Sequence, residues 1–446
     1  DVSFYWIDKG DADTDFTGST GELETITDDV WVGTDGADET TTTGTEQDPF
    51  KTIDHAMSRT YGTANDPITI HLFGETYAPS TNGEVFPIRM ISNVNLIGQS
   101  EEVTIIDAEE TSRVITMEYC DNNIISELTI TGGLTEGDNH FDVRGGGMSL
   151  LSSNPTLANV SITYNYADIG GGMYLRTSNP TLTHVSIENN TATYAGSGML
   201  LISSNPMLTH VTISHNNTAD EFYGTGGGMH LEFSNPTLTN VTIANNTSIS
   251  SSGMDIWFSN PTLTNVTIAN NTAYDGGCIN IEDSNPTLTN SIIWNNSPES
   301  IAIGSGEPII TYSDIEGGWE GEGNIDANPL FTDAENGDYT LMEGSPCIDS
   351  GNPNLWYQDF DGTQSDMGIT GGSFIQPNFI SHDFGEVGDH GSAKQFSLYN
   401  YRETAITISS VSFNTSSFIT NTSFPITIDP LQSGIINIEV NNSVMG

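Results

Sequence analysis

Two series of side chains hold the residues of this sequence that are best suited to chemistry. They occupy alternate positions of a short segment, Met-x-Leu-x in most copies, that recurs along the middle of the chain. Since alternate residues of a strand point the same way, stacked copies would form two columns on one face. The columns read Ser149, Tyr174, Leu200, His230, Asp255, Asn280 and Leu151, Arg176, Ile202, Glu232, Trp257, Glu282.

This face offers both acid–base groups and binding groups. Imidazole, carboxylate and guanidinium groups transfer protons or stabilise developing charge. The catalytic candidates are Arg176, His230, Glu232 and Asp255. The ligand-binding candidates are Tyr174, Trp257 and Glu282, which would make the face a platform for carbohydrate. The alternative is an ordinary solvated face with a few exposed aromatic rings.

The supply of cations limits the reactions that this face can perform. Elimination on a polyuronate needs a lysine or arginine base and a cation that neutralises the carboxylate. No lysine lies between Lys51 and Lys394, and Arg144 and Arg176 are the strong cations of the regular copies. A hydrolase would instead need paired carboxylates about 5 to 9.5 Å apart. The sequence therefore favours a non-enzymatic role.

One copy is five residues longer than most others, because it contains Asp220-Glu-Phe-Tyr-Gly. This insertion predicts a loop beside the face, where Phe222 and Tyr223 are further ligand-binding candidates. Phe222 folding back as a lid is the alternative.

An acidic segment near the start carries a candidate calcium site. Asp11, Asp13, Asp15 and Glu22 occupy relative positions 1, 3, 5 and 12 of a calcium loop. Phe16 stands where the sharp turn requires glycine, and no flanking helices are indicated, so the pattern predicts Ca²⁺ binding without a true EF-hand. Asp359, Asp361 and Asp366 are a weaker group, for which local turn capping is the default interpretation.

The elements that must position these residues follow from a repeat. The phrase Ser-Asn-Pro-x-Leu-x-x-Val-x-Ile occurs six times, with Ser in place of Val in the last copy, at steps of 25, 26, 30, 25 and 25 residues. A period of this size indicates a solenoid, and the short alternating apolar runs indicate strands. The predicted fold is all-β: a right-handed parallel β-helix with three short strands per turn of about 25 residues.

A column of asparagines supports this stacking. They lie five residues after each Val, or after Ser291 in the last copy. Turns about 4.8 Å apart would let their amides form a structural ladder. The predicted ladder is Asn165, Asn190, Asn216, Asn246, Asn271 and Asn296.

Composition restricts partners and location. The 446 residues contain 59 acidic and 9 basic residues, giving a formal net charge of -50, which disfavours nucleic acid, anionic lipid and polyuronate chains unless cations bridge them. Cys120, Cys278 and Cys347 are too few for a disulfide framework and predict small core residues.

No stretch is apolar enough to span a membrane. The chain opens at Asp1 without a signal peptide, which leaves a cytosolic or a processed form open; turn chemistry favours secretion.

Three regions are expected. Residues 1–48 form an acidic segment with a leading strand, and residues 49–372 form the β-helix. Its first helix would have Asp48 as N-cap and Pro49 in the first turn. Residues 373–446 alternate like a small antiparallel sandwich, which is apparently incomplete.

Several motifs resemble a known family. Trp31-Val-Gly-Thr-Asp-Gly, Pro49-Phe-Lys-Thr-Ile and Ile105-Ile-Asp-Ala resemble the opening of secreted bacterial β-helix proteins of the pectate-lyase-like superfamily. Ser313-Asp-Ile-Glu-Gly-Gly-Trp and Gly344-Ser-Pro-Cys-Ile-Asp-Ser-Gly are similar to their closing turns. The resemblance implies the fold over about residues 30 to 372, whereas activity varies between surface proteins and polysaccharide lyases. Asp383-Phe-Gly-Glu-Val onward resembles an immunoglobulin-like choice-of-anchor module.

The sequence favours a secreted, non-enzymatic structural or adhesive protein of the cell surface. Its unpaired strand edges suggest head-to-tail filaments, in which Val2, Phe4 and Trp6 of one copy add a strand to another. An extracellular glycan is the other expected partner. The alternative is a polysaccharide lyase, glycosidase or glycan-binding module that uses the Met-x-Leu face.

Overall fold

The computed structural model describes most of the chain. The described residues are 25–137, 143–219, 224–354, 357–359, 362–372, 375–377, 393–400, 405–413, 415, 417–430 and 432–440. The calcium candidates Asp11, Asp13, Asp15 and Glu22, the assembly residues Val2, Phe4 and Trp6, and Phe222 and Tyr223 all lie outside them. Their predictions are therefore neither supported nor contradicted.

Parallel strands wind into the predicted β-helix and stack into three sheets. The first sheet contains the Met-x-Leu segments in nine parallel strands, which pair in unshifted register from each turn to the next. Its strands are Ile88–Arg89, Ile115–Glu118, Met148–Leu151, Met173–Arg176, Met199–Ile202, Met229–Glu232, Met254–Trp257, Ile279–Glu282 and Ile301–Ile303.

The second sheet is twice as wide, because the Pro-x-Leu and Val-x-Ile segments of a turn both belong to it. A residue with positive φ between them, such as His184 (φ 52°) or Asn240 (φ 51°), bends the chain without leaving the sheet. Its strands are Val30–Val32, Ile68–Leu72, Thr76–Tyr77, Val94–Ile97, Ile105–Asp107, Ile124–Thr131, Thr156–Thr163, Thr181–Glu188, Met207–Thr209, Thr212–Ser214, Thr237–Thr239, Thr242–Ala244, Thr262–Thr264, Thr267–Ala269, Thr287–Thr289, Ile292–Trp294, Ile309–Thr311 and Asp314–Ile315.

The third sheet lies where the sequence predicts only a corner. In the regular turns its strands begin directly after the ladder asparagines. A regular turn therefore contributes one segment to the first sheet, two to the second and one to the third, whereas the three expected strands do not include the segment of the third sheet. Its strands are Leu134–Thr135, Tyr166–Ile169, Thr191–Ala195, Asn217–Thr218, Thr247–Ser250 and Thr272–Asp275.

One continuous apolar core fills the β-helix from Val30 to Ile315. In a single turn, Met199, Leu201, Leu208 and Ile213 are all 0% exposed, so the inward column residues are those that the alternation predicts. Cys120, Cys278 and Cys347 are buried free thiols, as expected of small core residues.

The ladder asparagines stack inside the corner between the second and third sheets. Each Nδ2 donates to the Oδ1 of the next asparagine at 2.9–3.1 Å, from Asn165 through Asn296. A second ladder, which the sequence reasoning missed, uses the serine of the repeated phrase. The backbone N–H of Ser153 donates to Ser178 Oγ at 3.0 Å, and the pattern continues to Ser284.

A short helix, Ile53–Arg59, packs Ile53, Ala56 and Met57 into the core beside Val30. Thr52 is its N-cap, since Thr52 Oγ1 accepts the His55 N–H at 3.2 Å. The prediction of Asp48 as N-cap, with Pro49 in the first turn, is wrong. The Asp48 carboxylate instead accepts hydrogen bonds from the N–H and hydroxyl of Thr43, both at 2.9 Å.

Beyond the β-helix the strands become antiparallel. The pair Phe331–Asp333 and Asp338–Leu341, joined by the 3-10 helix Ala334–Asn336, packs on the outside of the second sheet, where Tyr339 OH accepts hydrogen bonds from Asn245 and Asn270. Two small sheets follow, and Leu398, Ile428 and Ile436 from their strands form one buried core. Their strands are Ile375–Pro377, Ala393–Asn400, Ser433–Val440 and Phe418–Thr420, and Ile406–Ile408 with Ile426–Ile428.

Among the described residues, no helix has the length and apolar character needed to cross a membrane.

Candidate functional site

The first sheet brings the two predicted columns together on its outer face. Tyr174 pairs with Leu200, Leu200 with His230, and His230 with Asp255, while Arg176 aligns with Ile202 and Glu232 with Trp257. The roles proposed for these residues remain predictions, but their alignment follows directly from the strand pairing.

A groove of about 430 Å³ lies over the first four strands of this sheet. Four of the chain's six arginines line it, together with Glu118, Leu151 and Tyr174. We call it the arginine groove, and its arginines are Arg89, Arg113, Arg144 and Arg176.

Two of these arginines are anchored by the protein itself. Arg113 Nε donates to the carbonyl oxygens of Arg144 and Gly145, both at 2.9 Å. The Arg144 guanidinium donates to the hydroxyl of Tyr174 at 3.1 Å and lies 5.2 Å from the centroid of the Tyr174 ring. Tyr174 is only 3% exposed, so it supports an arginine and offers little surface to a ligand.

The other two arginines face solvent. Arg89 and Arg176 are exposed, and within the part of the chain that the structure describes their side chains form no hydrogen bond or ion pair. Arg89 pairs with Thr116, which pairs with Ser149, which pairs with Tyr174. Three steps between strands separate Arg89 and Arg176 by roughly 14 Å along the helix axis. Two guanidinium groups are thus available to anions at the two ends of the groove.

Sequence reasoning missed half of this groove. Arg89 and Arg113 belong to the irregular turns before the repeated phrase, so they had no place in the two columns. The signal that could have found them is their distribution along the chain. No lysine or arginine lies between Arg176 and Lys394, whereas four arginines lie between residues 89 and 176.

A second polar centre lies further along the same face, around the Asp255 carboxylate. Asp255 is 2% exposed and accepts hydrogen bonds from five side chains. These donors are Thr225 (2.6 Å), His230 (3.0 Å), Ser251 (3.3 Å), Trp257 (3.0 Å) and Asn280 (2.9 Å). Burial raises the pKa of Asp255, but the hydrogen bonds from His230, Thr225 and Asn280 and the attraction to His230 outweigh burial and lower it.

The ionised Asp255 fixes the state of its neighbours. A carboxylate can only accept, so His230 Nδ1 carries a proton and, in the neutral ring, Nε2 keeps its lone pair. Nε2 has no hydrogen-bond partner among the described residues, and the His230 side chain is 14% exposed. The Trp257 indole is held by the same carboxylate and is 43% exposed. This arrangement can accept hydrogen bonds or take up a proton.

The two predicted glutamates differ in their surroundings. Glu282 Oε2 accepts a hydrogen bond from Ser305 at 3.0 Å. The Glu232 carboxylate, one column position before Trp257, has no partner within the described ranges. Glu232 therefore remains available to a ligand, whereas Glu282 is partly committed to the fold.

No cation site is visible among the described residues, where no group of three or more His, Cys, Asp or Glu side chains is placed to hold a metal. Asp359 accepts the backbone N–H groups of Asp366 (2.9 Å) and Gly372 (2.6 Å), which is the turn capping expected by default. Asp361 lies outside the described residues.

A further cavity of about 520 Å³ opens between the second sheet and the antiparallel pair that follows the β-helix. Glu188, Ser214, His215 and Tyr339 are among its lining residues, and no lysine or arginine lines it. Its chemistry does not suit an anionic ligand.

The stacked parallel turns define a β-helix protein whose first sheet carries a polar face. The chain belongs to the family described as the right handed beta helix region, whose model matches residues 92–247 and 169–317. No curated protein sequence matches it.

Similar solved structures include the following three proteins. Pectate lyase Pel9A is 13% identical, with a TM-score of 0.49, covering 78% of this chain and 96% of that one. Pectin methylesterase PemA from Erwinia chrysanthemi is 12% identical, with a TM-score of 0.36, covering 71% and 99%. The enzymatically active domain of tailspike protein 2 of bacteriophage CBA120 is 10% identical, with a TM-score of 0.38, covering 84% and 66%. No activity, substrate or residue role is transferred from them.

Proposed function

We propose that this β-helix binds an acidic polysaccharide in the arginine groove. The observation that carries the proposal is the gathering of four of six arginines in one groove of a chain whose formal net charge is -50. Elsewhere the acidic surface repels anions, so the groove is the favourable place for a polyanion.

The groove suits a polymer better than a single small anion. Arg89 and Arg176 are separated by roughly 14 Å along the axis, so one carboxylate cannot reach both. Guanidinium groups bind carboxylates with two parallel hydrogen bonds, and two such contacts fix the direction of a chain. Arg113 and Arg144 add positive charge between the contacts while the protein holds them in place.

The first test removes the two exposed arginines by using residues from neighbouring turns. Arg89→Thr copies Thr116, and Arg176→Ile copies Ile202, so each new residue already occupies the same column. We expect the double variant to bind oligogalacturonate at least about 10-fold more weakly in calorimetric titration, because two charge-assisted contacts are lost. Lys51→Gln, outside the groove, is the control for a change of charge and should bind as the wild type does. Equal affinity of wild type and double variant would refute the proposal.

A second candidate function is cleavage of the bound glycan. The observation that favours it is the Asp255–His230 pair, in which a buried carboxylate orients an imidazole whose Nε2 can take a proton from water or from substrate. Purified protein is incubated with acidic and neutral glycans, and reducing ends and unsaturated products are measured. Turnover that disappears in His230→Leu, which copies Leu200, while binding is retained would establish an enzyme. Glu232→Gln tests the second acid–base candidate in the same assay.

Assembly into a surface filament by strand addition remains a separate proposal. It depends on Val2, Phe4 and Trp6, whose strand-like alternation is its support. Deletion of residues 1–10 should abolish any oligomer seen by light scattering, and an oligomer of unchanged size would refute the idea.

Secretion and an immunoglobulin-like C-terminal module are likewise proposals, which rest on the sequence resemblances.

Calcium binding by the acidic N-terminal segment is also a proposal. Its support is the spacing of Asp11, Asp13, Asp15 and Glu22. Titration with Ca²⁺ should show one site that Asp11→Asn with Asp13→Asn removes, and an unchanged titration would exclude it.

A further inference from the structure

Three exposed aromatic side chains lie at or directly after the ends of two neighbouring strands of the first sheet, in a part of the sheet that contains no arginine. Trp257 is 43% exposed, and the next residue, Phe258, is 46% exposed. Phe233, in the preceding turn, is 53% exposed, and its ring stacks on Phe258 with centroids 5.1 Å apart and planes at 12°. We call Phe233, Trp257 and Phe258 the aromatic platform.

The fold itself does not require phenylalanine at these positions. Phe233 and Phe258 have φ of 51° and 48°, a left-handed conformation that is unfavourable for bulky residues. The equivalent corner, one residue after a strand of the first sheet, is Ser152, Thr177, Ser203 or Asp283 in four other turns and Tyr119 in a fifth, all with positive φ. Two stacked, exposed phenylalanine rings in a costly backbone conformation indicate a binding role, because polar residues fill the same corner in four of the other turns.

The protein fixes the orientation of Trp257, the indole of the platform, before any ligand arrives. Trp257 Nε1 donates to Asp255 Oδ1 at 3.0 Å, and Asp255 also holds His230. The Trp257 and His230 rings lie 6.4 Å apart. Holding an aromatic ring in place reduces the entropy lost on binding.

The polar groups beside the platform select an uncharged ligand. Glu232 is an acceptor, and His230 Nε2 accepts in the neutral ring and donates in the protonated one, so both suit the hydroxyl groups of a sugar, while Glu232 repels a carboxylate. The chain has no lysine or arginine between Arg176 and Lys394 to offset that repulsion. A pyranose ring presents C–H groups on its face and hydroxyls at its edge, which match an aromatic surface bordered by acceptors.

We propose that the aromatic platform is a subsite for an uncharged sugar of the same polysaccharide whose acidic units occupy the arginine groove. The ligand is therefore a mixed chain that contains both acidic and neutral sugars. This inference rests on the proposed function. Arg176 and Trp257 stand in one column, three strands apart, or roughly 14 Å, so one glycan along the axis reaches both.

The test compares three glycans by calorimetric titration of the full chain. Oligogalacturonate contains only acidic sugars, cello-oligosaccharide only neutral ones, and deacylated gellan oligosaccharide contains both. The platform variant is Trp257→Ile with Phe233→Ser, which copies Ile202 and Ser203 from the turn before Phe233. We expect it to weaken gellan binding by about 10-fold while changing oligogalacturonate binding less than about 2-fold. Arg176→Ile should weaken binding of both acidic ligands.

Each result decides for or against the platform. Unchanged gellan affinity in the platform variant, or an equal loss for oligogalacturonate, overturns the inference. Wild type that binds oligogalacturonate but not gellan overturns it too. If neither acidic ligand binds the wild type, the proposed function fails by itself. If cello-oligosaccharide then binds the wild type but not the platform variant, the platform is still a site for a neutral sugar. Circular dichroism melting of the variants checks that the fold is unchanged.

Discussion

Buried carboxyl groups in this protein ionise differently according to the donors around them. Asp255 has five side-chain donors, and its pKa is lowered despite burial. Asp314 is also buried, but among the described residues its hydrogen-bond donors are the Ala327 N–H and the Cys347 thiol, both at 3.1 Å. Burial is the largest cause that raises the pKa of Asp314 to about 6, and the charges of Asp326 and Glu316 add to it. The number and the kind of hydrogen-bond donors therefore decide whether the pKa of a buried carboxyl group is lowered or raised.

Asp314 gives a prediction about stability and pH. Its folded-state pKa exceeds the unfolded value, so the stability that it contributes is present below about pH 4 and is lost as pH rises through about 6. Asp314→Asn removes this ionisation. At pH 8 the free energy of unfolding of this variant should exceed that of the wild type by roughly 1–2 kcal/mol, so the variant should unfold at a higher denaturant concentration. The advantage should shrink at pH 4. Denaturant titrations at both values test it, and an advantage that is independent of pH would contradict the assignment.

Some elements could be predicted from the sequence because repetition shows which residues stack. The asparagine ladder and the two columns of the first sheet follow from the constant spacing of the phrase. The third sheet could not be predicted from alternation, because its inward residues are small, as in Thr191–Ala195, where Ala192 is buried. The sequence predicts Asp48 as the N-cap of the helix, but the Asp48 carboxylate accepts a hydrogen bond from Thr43, a contact between residues of an irregular loop.

The candidate site was only half predictable for a related reason. Asp255, His230 and Trp257 lie in regular turns, so their contact follows from the period. Arg89 reaches the groove through the pairing of Ile88 with Ile115, and the turns there have no repeated phrase to reveal the register. Burial of Tyr174 under Arg144 depends on side-chain packing that no spacing encodes.

The ladder gives a prediction for an element. Asn216 is 0% exposed, donates to Asn246 and to the Ile187 carbonyl, and accepts from the N–H and amide of Asn190. Asn216→Ala leaves these buried groups unpaired and should cost about 2–4 kcal/mol of unfolding free energy in denaturant titration. Asn217→Ala is the matched control, since Asn217 is exposed and accepts one hydrogen bond, from Thr247. Equal losses for the two variants would contradict a structural ladder.

At the scale of the whole molecule, charge is distributed unevenly along the β-helix. The exposed arginines Arg89 and Arg176 lie over the early turns, and after Arg176 no strong cation occurs before Lys394. Salt therefore acts in opposite directions on folding and on binding. It screens repulsion within a chain of net charge -50, and it also screens the attraction of the groove for a polyanion.

This opposition is testable on one sample. Raising NaCl from about 0.05 M to about 0.5 M should raise the midpoint of thermal unfolding by a few degrees. The same change should weaken oligogalacturonate binding by roughly 10-fold, measured by calorimetric titration. Affinity that does not change with salt would show that the arginines do not contribute to binding.

The most direct measurement is a crystal structure of the chain with a deacylated gellan oligosaccharide. We predict that the glycan lies along the axis of the first sheet, with uronate carboxylates within hydrogen-bond distance of Arg89 or Arg176 and a neutral ring on Trp257. A glycan bound elsewhere, such as in the cavity beside Tyr339, with both arginines free of ligand, would contradict the account.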